Sequence, residues 1–202
     1  GVKLASGEMI EADVVVANPD LPCVWDQMID KEVFPEAKKE AERWEDADYS
    51  ASVIEFNWCL DTQIADLLHH NVFLSGDYEG SWVRPCVASD FDAPKQHNFY
   101  CHNPVYTDKT CAPEGGASLM ILLPIANIKE QENICKKRGV PVPSETALVE
   151  AGRQAILRRL KEAGHGDLPE IIATDTVTVP PEWHDDRHLK DGSLSGASLR
   201  VW

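Results

Sequence analysis

The patterning of these 202 residues predicts an α+β fold, a mixed β-sheet backed by helices. Three observations carry that expectation. Ala51 to Leu60 reads as one long strand, with Ile54, Phe56, Trp58 and Leu60 on one side and Val53, Glu55, Asn57 and Cys59 on the other. Residues 98–103 and 118–123 read as a strand pair across a proline-glycine loop. Ser144 is a good helix N-cap for a helically spaced run that continues to about Ala163.

The remaining elements follow in chain order. Val2 to Ile10 reads as a hairpin turning at Ala5-Ser6-Gly7, and Val14-Val15-Val16-Ala17 as a buried strand, since unbroken β-branched runs suit sheets covered on both faces. Asn18-Pro19-Asp20 then turns the chain. Pro35 opens a helix over 35–46, with Ala37, Ala41 and Trp44 on one face. Asn71 to Leu74 is a short strand, and the loop over 108–116 holds the turn signal Ala112-Pro113-Glu114-Gly115-Gly116. Residues 129–143, polar and containing two prolines, read as a surface connection. Leu148, Ala151, Ala155 and Leu160 mark the buried stripe of the helix after Ser144, with Gly164 as its stop. Ile171 to Val179 is the last strand, closed by Pro180-Pro181.

Composition narrows the function. Apolar residues make up 43% and charged residues 26%, ordinary globular values, so disorder is not the default. The formal net charge of −15 repels a phosphate backbone and argues against nucleic-acid binding. Six cysteines show no C-x-x-C spacing and are read as reduced and mostly packed. A first residue of Gly1 and an abrupt end at Trp202 lead to the expectation of a segment cut from a longer protein.

No single constellation declares a chemistry. No G-x-G-x-x-G, phosphate loop or nucleophile elbow occurs. His184 and His188 stand at i and i+4, but Asp185, Asp186 and Arg187 between them lack a zinc-protease glutamate, so a solvated polar turn is the reading. His69 and His70 are adjacent and are not expected to share a face, which leaves a loop entering a strand. His102 ends a strand, either as a packed polar side chain or as a catalytic one. No metal site is expected. Phe56, Trp58, Phe99 and Tyr100, aromatic residues at strand spacing, are either core or the wall of an apolar, lipid-sized cavity.

Taken together, several segments resemble one family. Gly1 to Glu8 leading into Ala12-Asp13-Val14-Val15-Val16-Ala17-Asn18-Pro19-Asp20 resembles a stretch of amine-oxidase-like flavoproteins. Tyr49-Ser50-Ala51-Ser52 with Phe56-Asn57-Trp58-Cys59-Leu60-Asp61 resembles a strand of phytoene desaturases, with Cys59 where that family often has glycine. His70-Asn71-Val72-Phe73-Leu74 with Asp77-Tyr78 is a further match. The strongest runs from Asn98 to Pro124 through His102-Asn103-Pro104, Thr107-Asp108, Ala112-Pro113-Glu114-Gly115 and Ser118 to Leu123.

The resemblance to carotenoid desaturases implies the substrate domain of a two-domain FAD-dependent oxidoreductase. Residues 1–20 would return a hairpin and strand to the FAD-binding domain, with Asn18 and Pro19 at the cofactor. Residues 21–190 would form the substrate domain, and 191–202 the start of a second return. Phe56, Trp58, His102 and Trp183 are the candidates for lining the substrate cavity, though each could equally be core. The implied reaction dehydrogenates a long apolar polyene, passing a hydride to flavin. The resemblance also allows peripheral membrane contact, in a plastid or at a bacterial cytoplasmic membrane, and leaves the oligomeric state open. The main FAD-binding motifs are absent from the chain, which alone is expected to be inactive. Alternatives within the same fold are a carotenoid isomerase, a retinoid saturase or an amine-oxidase-like flavoprotein. Outside catalysis, an apolar-ligand or partner-binding module is the rival.

Overall fold

The computed structural model describes residues 1–45, 47–64, 66–92 and 95–198, which fall into two units, 1–47 and 48–202. In the first unit, β1 (Val2–Lys3) and β2 (Met9–Ile10) form the expected antiparallel hairpin, with Val2 opposite Ile10. The strand expected over Val14–Ala17 is not formed. Val14, Val15 and Val16 are 78%, 51% and 86% exposed. The physical reason is that a β-branched run becomes a strand only with a ladder partner, and none of the described residues pairs with it. Helix α1 (Leu21–Cys23) starts where the Asp20 carboxylate accepts the Leu21 N–H at 3.0 Å, and it widens into a π-turn over Val24–Met28. Helix α2 (Glu36–Glu45) begins just after Pro35 and buries Ala37. Asp46, the last residue expected in that helix, lies outside the described residues.

The second unit is built on a five-stranded sheet. Its strands are β3 (Ser52–Leu60), β4 (His70–Phe73), β5 (Phe99–His102), β6 (Ala117–Ile125) and β7 (Ile172–Thr178). They lie in the order β4-β5-β6-β3-β7, and every pairing is antiparallel. The pairing expected between residues 98–103 and 118–123 is present, with Tyr100 opposite Leu122. Strand period two puts Ile54, Phe56, Trp58 and Leu60 of β3 on the same face as Leu119, Ile121 and Leu123 of β6, and all seven are buried.

Helices cover that face. The segment expected to be an irregular connection contains α3 (Ile128–Arg138). The reason is capping. The Asn127 side chain accepts the Glu130 N–H at 2.9 Å, Gly139 ends the helix at φ 67°, and both prolines fall beyond that stop. Helix α4 (Glu145–Glu162) starts at Ser144 as expected, its hydroxyl accepting the Ala147 N–H. It buries Leu148, Gly152, Ala155, Ile156 and Leu160. Gly152 marks the closest approach of α4 to the sheet, because a Cβ there would stand 2.8 Å from Leu123 Cδ2. Each large aliphatic side chain withdrawn from water at this layer contributes about 1.5–3 kcal/mol. Helix α5 (Pro180–Asp185) follows β7 directly, with Pro180 and Pro181 in its first turn and the Glu182 carboxylate accepting the Val179 N–H.

Candidate functional site

Among the described residues the opposite face of the sheet carries no helix layer of comparable extent, and its side chains follow from the same alternation. Strand β3 presents Val53, Glu55, Asn57 and Cys59; β6 presents Ser118, Met120, Leu122 and Pro124; β5 presents Tyr100 and His102; β4 presents His70 and Val72. The register makes this a patterned surface. Tyr100 and Leu122 are directly opposed, as are Val53 and Pro124, which gives an apolar centre. Val72, at the outer strand, is 64% exposed. A groove of about 380 Å³ runs over this centre, lined by Val53, Val72, Tyr100, Leu122, Pro124 and Leu194. Ser50, Asn98 and Ser195 are the polar side chains of its lining, and Glu55, Asn57, Ser118 and the histidines lie elsewhere on the same face.

A second cavity of about 490 Å³ is larger but different in character, with Asp77, Arg84, Asp90 and Lys95 among its walls. Arg138 donates to both Asp90 carboxylate oxygens, at 2.9 and 3.0 Å. Burial pushes the Asp90 carboxyl up, but hydrogen bonds from Cys86 and Arg138 outweigh it and hold the group below its usual range. Those contacts tie the loop before β5 to α3. The charged side chains distinguish this cavity from the groove, while Val83 and Pro85 also line it.

The candidate residues from the sequence separate onto different surfaces. Phe56 and Trp58 are 0% and 1% exposed and lie in the helix-covered core, their rings 5.9 Å apart. Trp58 Nε1 donates to Asp175 Oδ1 on β7 at 3.1 Å, and Arg153 of α4 both pairs with Asp175 and sits over the Phe56 ring. Those contacts make the two aromatics packing residues. Trp183 is half-buried and donates its indole N–H to the Val53 carbonyl at 3.1 Å, which pins α5 to β3. His102 is on the open face. Asn18 and Pro19 are exposed in the first unit. Residues 199–202, part of the stretch expected to begin a second return to the FAD domain, lie outside the described residues.

The sequence reading missed a convergence. His70 and His102 are opposed across β4 and β5, and His69 joins them from the residue just before β4. Strand alternation separates neighbours only inside a strand, and His69 is outside it, so its ring folds back over the pair. One nitrogen of each ring lies within 4.8 Å of the others. Burial and the neighbouring imidazoles hold His102 below the usual histidine range, favouring its neutral form. The sequence shows only the parts, a His-His pair at a strand start and a histidine at the end of another strand; the β4–β5 pairing joins them.

No family model matches the chain. Curated relatives do. A phytoene desaturase of Cercospora nicotianae is 27% identical over 221 residues, covering 98% of this chain and 34% of that protein. A zeta-carotene-forming phytoene desaturase of Myxococcus xanthus is 30% identical over 199 residues, covering 98% and 35%. A 4,4'-diapophytoene desaturase of Staphylococcus aureus is 25% identical over 195 residues, covering 95% and 36%. The chain is a homologue of the carotenoid desaturases. It spans about a third of the length of the relatives it matches.

In this desaturase homologue the residues present do not build a dinucleotide site. No G-x-G-x-x-G occurs, and among the described residues the sheets contain no parallel βαβ unit whose helix N-terminus could face a pyrophosphate. What the desaturase homologue does present is an open sheet face with an apolar centre and polar margins.

Proposed function

We propose that this chain is the substrate-binding part of an FAD-dependent carotenoid desaturase. A long apolar polyene would lie along the open face of the sheet, in the groove centred on Tyr100 and Leu122. The observation that carries this reading is the one-sided burial of a helix-backed sheet whose other face is apolar at its centre. The names of its relatives, phytoene and zeta-carotene desaturases, support a hydrocarbon substrate.

The role of these residues is to bind and orient. A polyene has no polar handle, so its position is set by shape and by exclusion of water from the groove. FAD, and the removal of two hydrogens from a CH–CH bond, belong to parts of the parent protein beyond this sheet. The exposed Val14-Val15-Val16 run fits a strand that completes a sheet in that cofactor domain, which agrees with residues 1–20 returning there.

The test is product analysis. The parent protein expressed in a phytoene-accumulating host is expected to yield carotenoids with a longer conjugated system, seen by absorbance after chromatography. Phytoene left unchanged by correctly folded, flavin-loaded protein would overturn the reading. A product with the same number of double bonds but altered geometry would place the protein among isomerases instead.

A further inference from the structure

We propose that His69, His70 and His102 form a zinc site with one coordination position open to solvent. The inference stands apart from the desaturase reading and rests on how the three rings are held.

Imidazole nitrogen suits Zn²⁺, which takes such ligands at about 2.0–2.1 Å in a near-tetrahedral set. In that geometry the ligand nitrogens stand roughly 3.4 Å apart. Here His69 Nε2 and His102 Nε2 are 2.8 Å apart, and all three ligand nitrogens fall within 4.8 Å. Both separations are near that value, and the exposed His70 is the ring with solvent on one side to adjust about its Tyr100 contact.

The outer partners match what a bound metal needs. A metal-binding histidine usually donates its other ring N–H to a fixed acceptor, which sets the tautomer and aims the lone pair. His69 Nδ1 lies 2.6 Å from Thr107 Oγ1, and that hydroxyl is itself directed to the Pro104 carbonyl, so it receives the imidazole proton. His70 Nδ1 lies 2.6 Å from Tyr100 Oη, which can accept in the same way. Both contacts leave Nε2 as the lone-pair nitrogen, and that of His69 is the one that meets His102. Without an ion, a 2.8 Å approach of two ring nitrogens needs a proton between them; with one, both lone pairs are used.

The backbone around the cluster is fixed independently. Asn71 donates to the carbonyls of Leu68 and Cys101, and its oxygen accepts the Leu68 N–H. Asn103 N–H donates to the His69 carbonyl at 2.9 Å, and its side chain donates to the Leu67 carbonyl. The loop bearing His69 is thus tied to both strands that bear the other two ligands. Three protein ligands leave a fourth position for water, the arrangement of open zinc sites.

The experiment uses the 202-residue chain with Zn²⁺ alone, by equilibrium dialysis against a chelator of known affinity, and Co²⁺ as a spectroscopic probe. The expected result is a single Zn²⁺ per chain and a visible Co²⁺ spectrum of nitrogen-ligated, four-coordinate type. His102→Ala and His70→Ala are expected to abolish both signals with the far-UV circular dichroism unchanged. Thr107→Val is expected to weaken Zn²⁺ binding roughly 10–100-fold, the usual effect of losing an outer partner. Failure of the wild-type chain to bind Zn²⁺ would overturn the proposal. So would binding that survives the triple histidine-to-alanine change, or that depends instead on the exposed thiols Cys59 and Cys111, tested by Cys59→Ser with Cys111→Ser.

Discussion

Replacing Trp58 with alanine is expected to lower the stability of the chain by about 3–5 kcal/mol, read as a drop in the urea midpoint with little change in slope. Three losses combine. The indole is among the largest fully buried side chains, so its removal leaves a cavity between β3 and the helix layer. The Nε1–H to Asp175 hydrogen bond disappears, which removes a side-chain tie that reinforces the β3–β7 ladder. The contact with the Phe56 ring, which also carries Arg153 on its face, is broken. Against a typical net stability of about 5–15 kcal/mol, this is a large fraction. Trp58→Phe keeps most of the apolar volume and is expected to cost far less. Equal effects of the two changes would mean that the lost hydrogen bond, and not packing, dominates.

The second large effect is on activity. Leu122→Asp in the parent protein is expected to reduce conversion of a polyene substrate by about 100-fold or more, compared at equal amounts of folded, flavin-loaded protein because the new carboxylate also stands opposite Glu55 and lowers stability. Leu122 is partly exposed on the open face, between Tyr100 and Glu55, so in the free protein a carboxylate there keeps contact with water. A hydrocarbon lying over it would strip that water away without offering a partner. A penalty of about 3 kcal/mol, modest for an unpaired charge, already corresponds to roughly 100-fold. Leu122→Met, of similar volume and still apolar, is expected to retain activity. Undiminished conversion by Leu122→Asp would place the polyene elsewhere.

Much of the second unit was legible in its sequence because local pattern and global burial agree there. The period-two pattern of residues 51–60 specified which face of β3 is buried, and Ser144 specified where α4 begins. Helix α3 was obscured by its composition. With Cys135 as its one buried residue, it carries no apolar stripe strong enough to outweigh the polar content and the nearby prolines, although Asn127, Glu130 and Gly139 were sufficient signals. The Val14–Ala17 run failed for the opposite reason: strong local propensity with no ladder partner among the described residues.

The site was harder to read, because alternation alone does not say which face of a sheet the helices cover. Phe56 and Trp58 drew attention as large aromatics, yet they are large because they fill the core. The groove uses residues of the opposite phase, Val53, Leu122 and Pro124, together with Tyr100 of β5. The histidine cluster could not be assembled without knowing that β4 and β5 are neighbours and that His70 faces His102.

Site-directed photo-crosslinking tests whether a polyene lies against the open sheet face. A benzophenone side chain at position 122 of the parent protein, irradiated with phytoene, is expected to give a covalent adduct of protein plus one phytoene by mass spectrometry. The same group at position 154, on the exposed outer side of α4, is expected to give none. An adduct at 154 equal to that at 122, or no adduct at 122 in flavin-loaded and active protein, would contradict that placement.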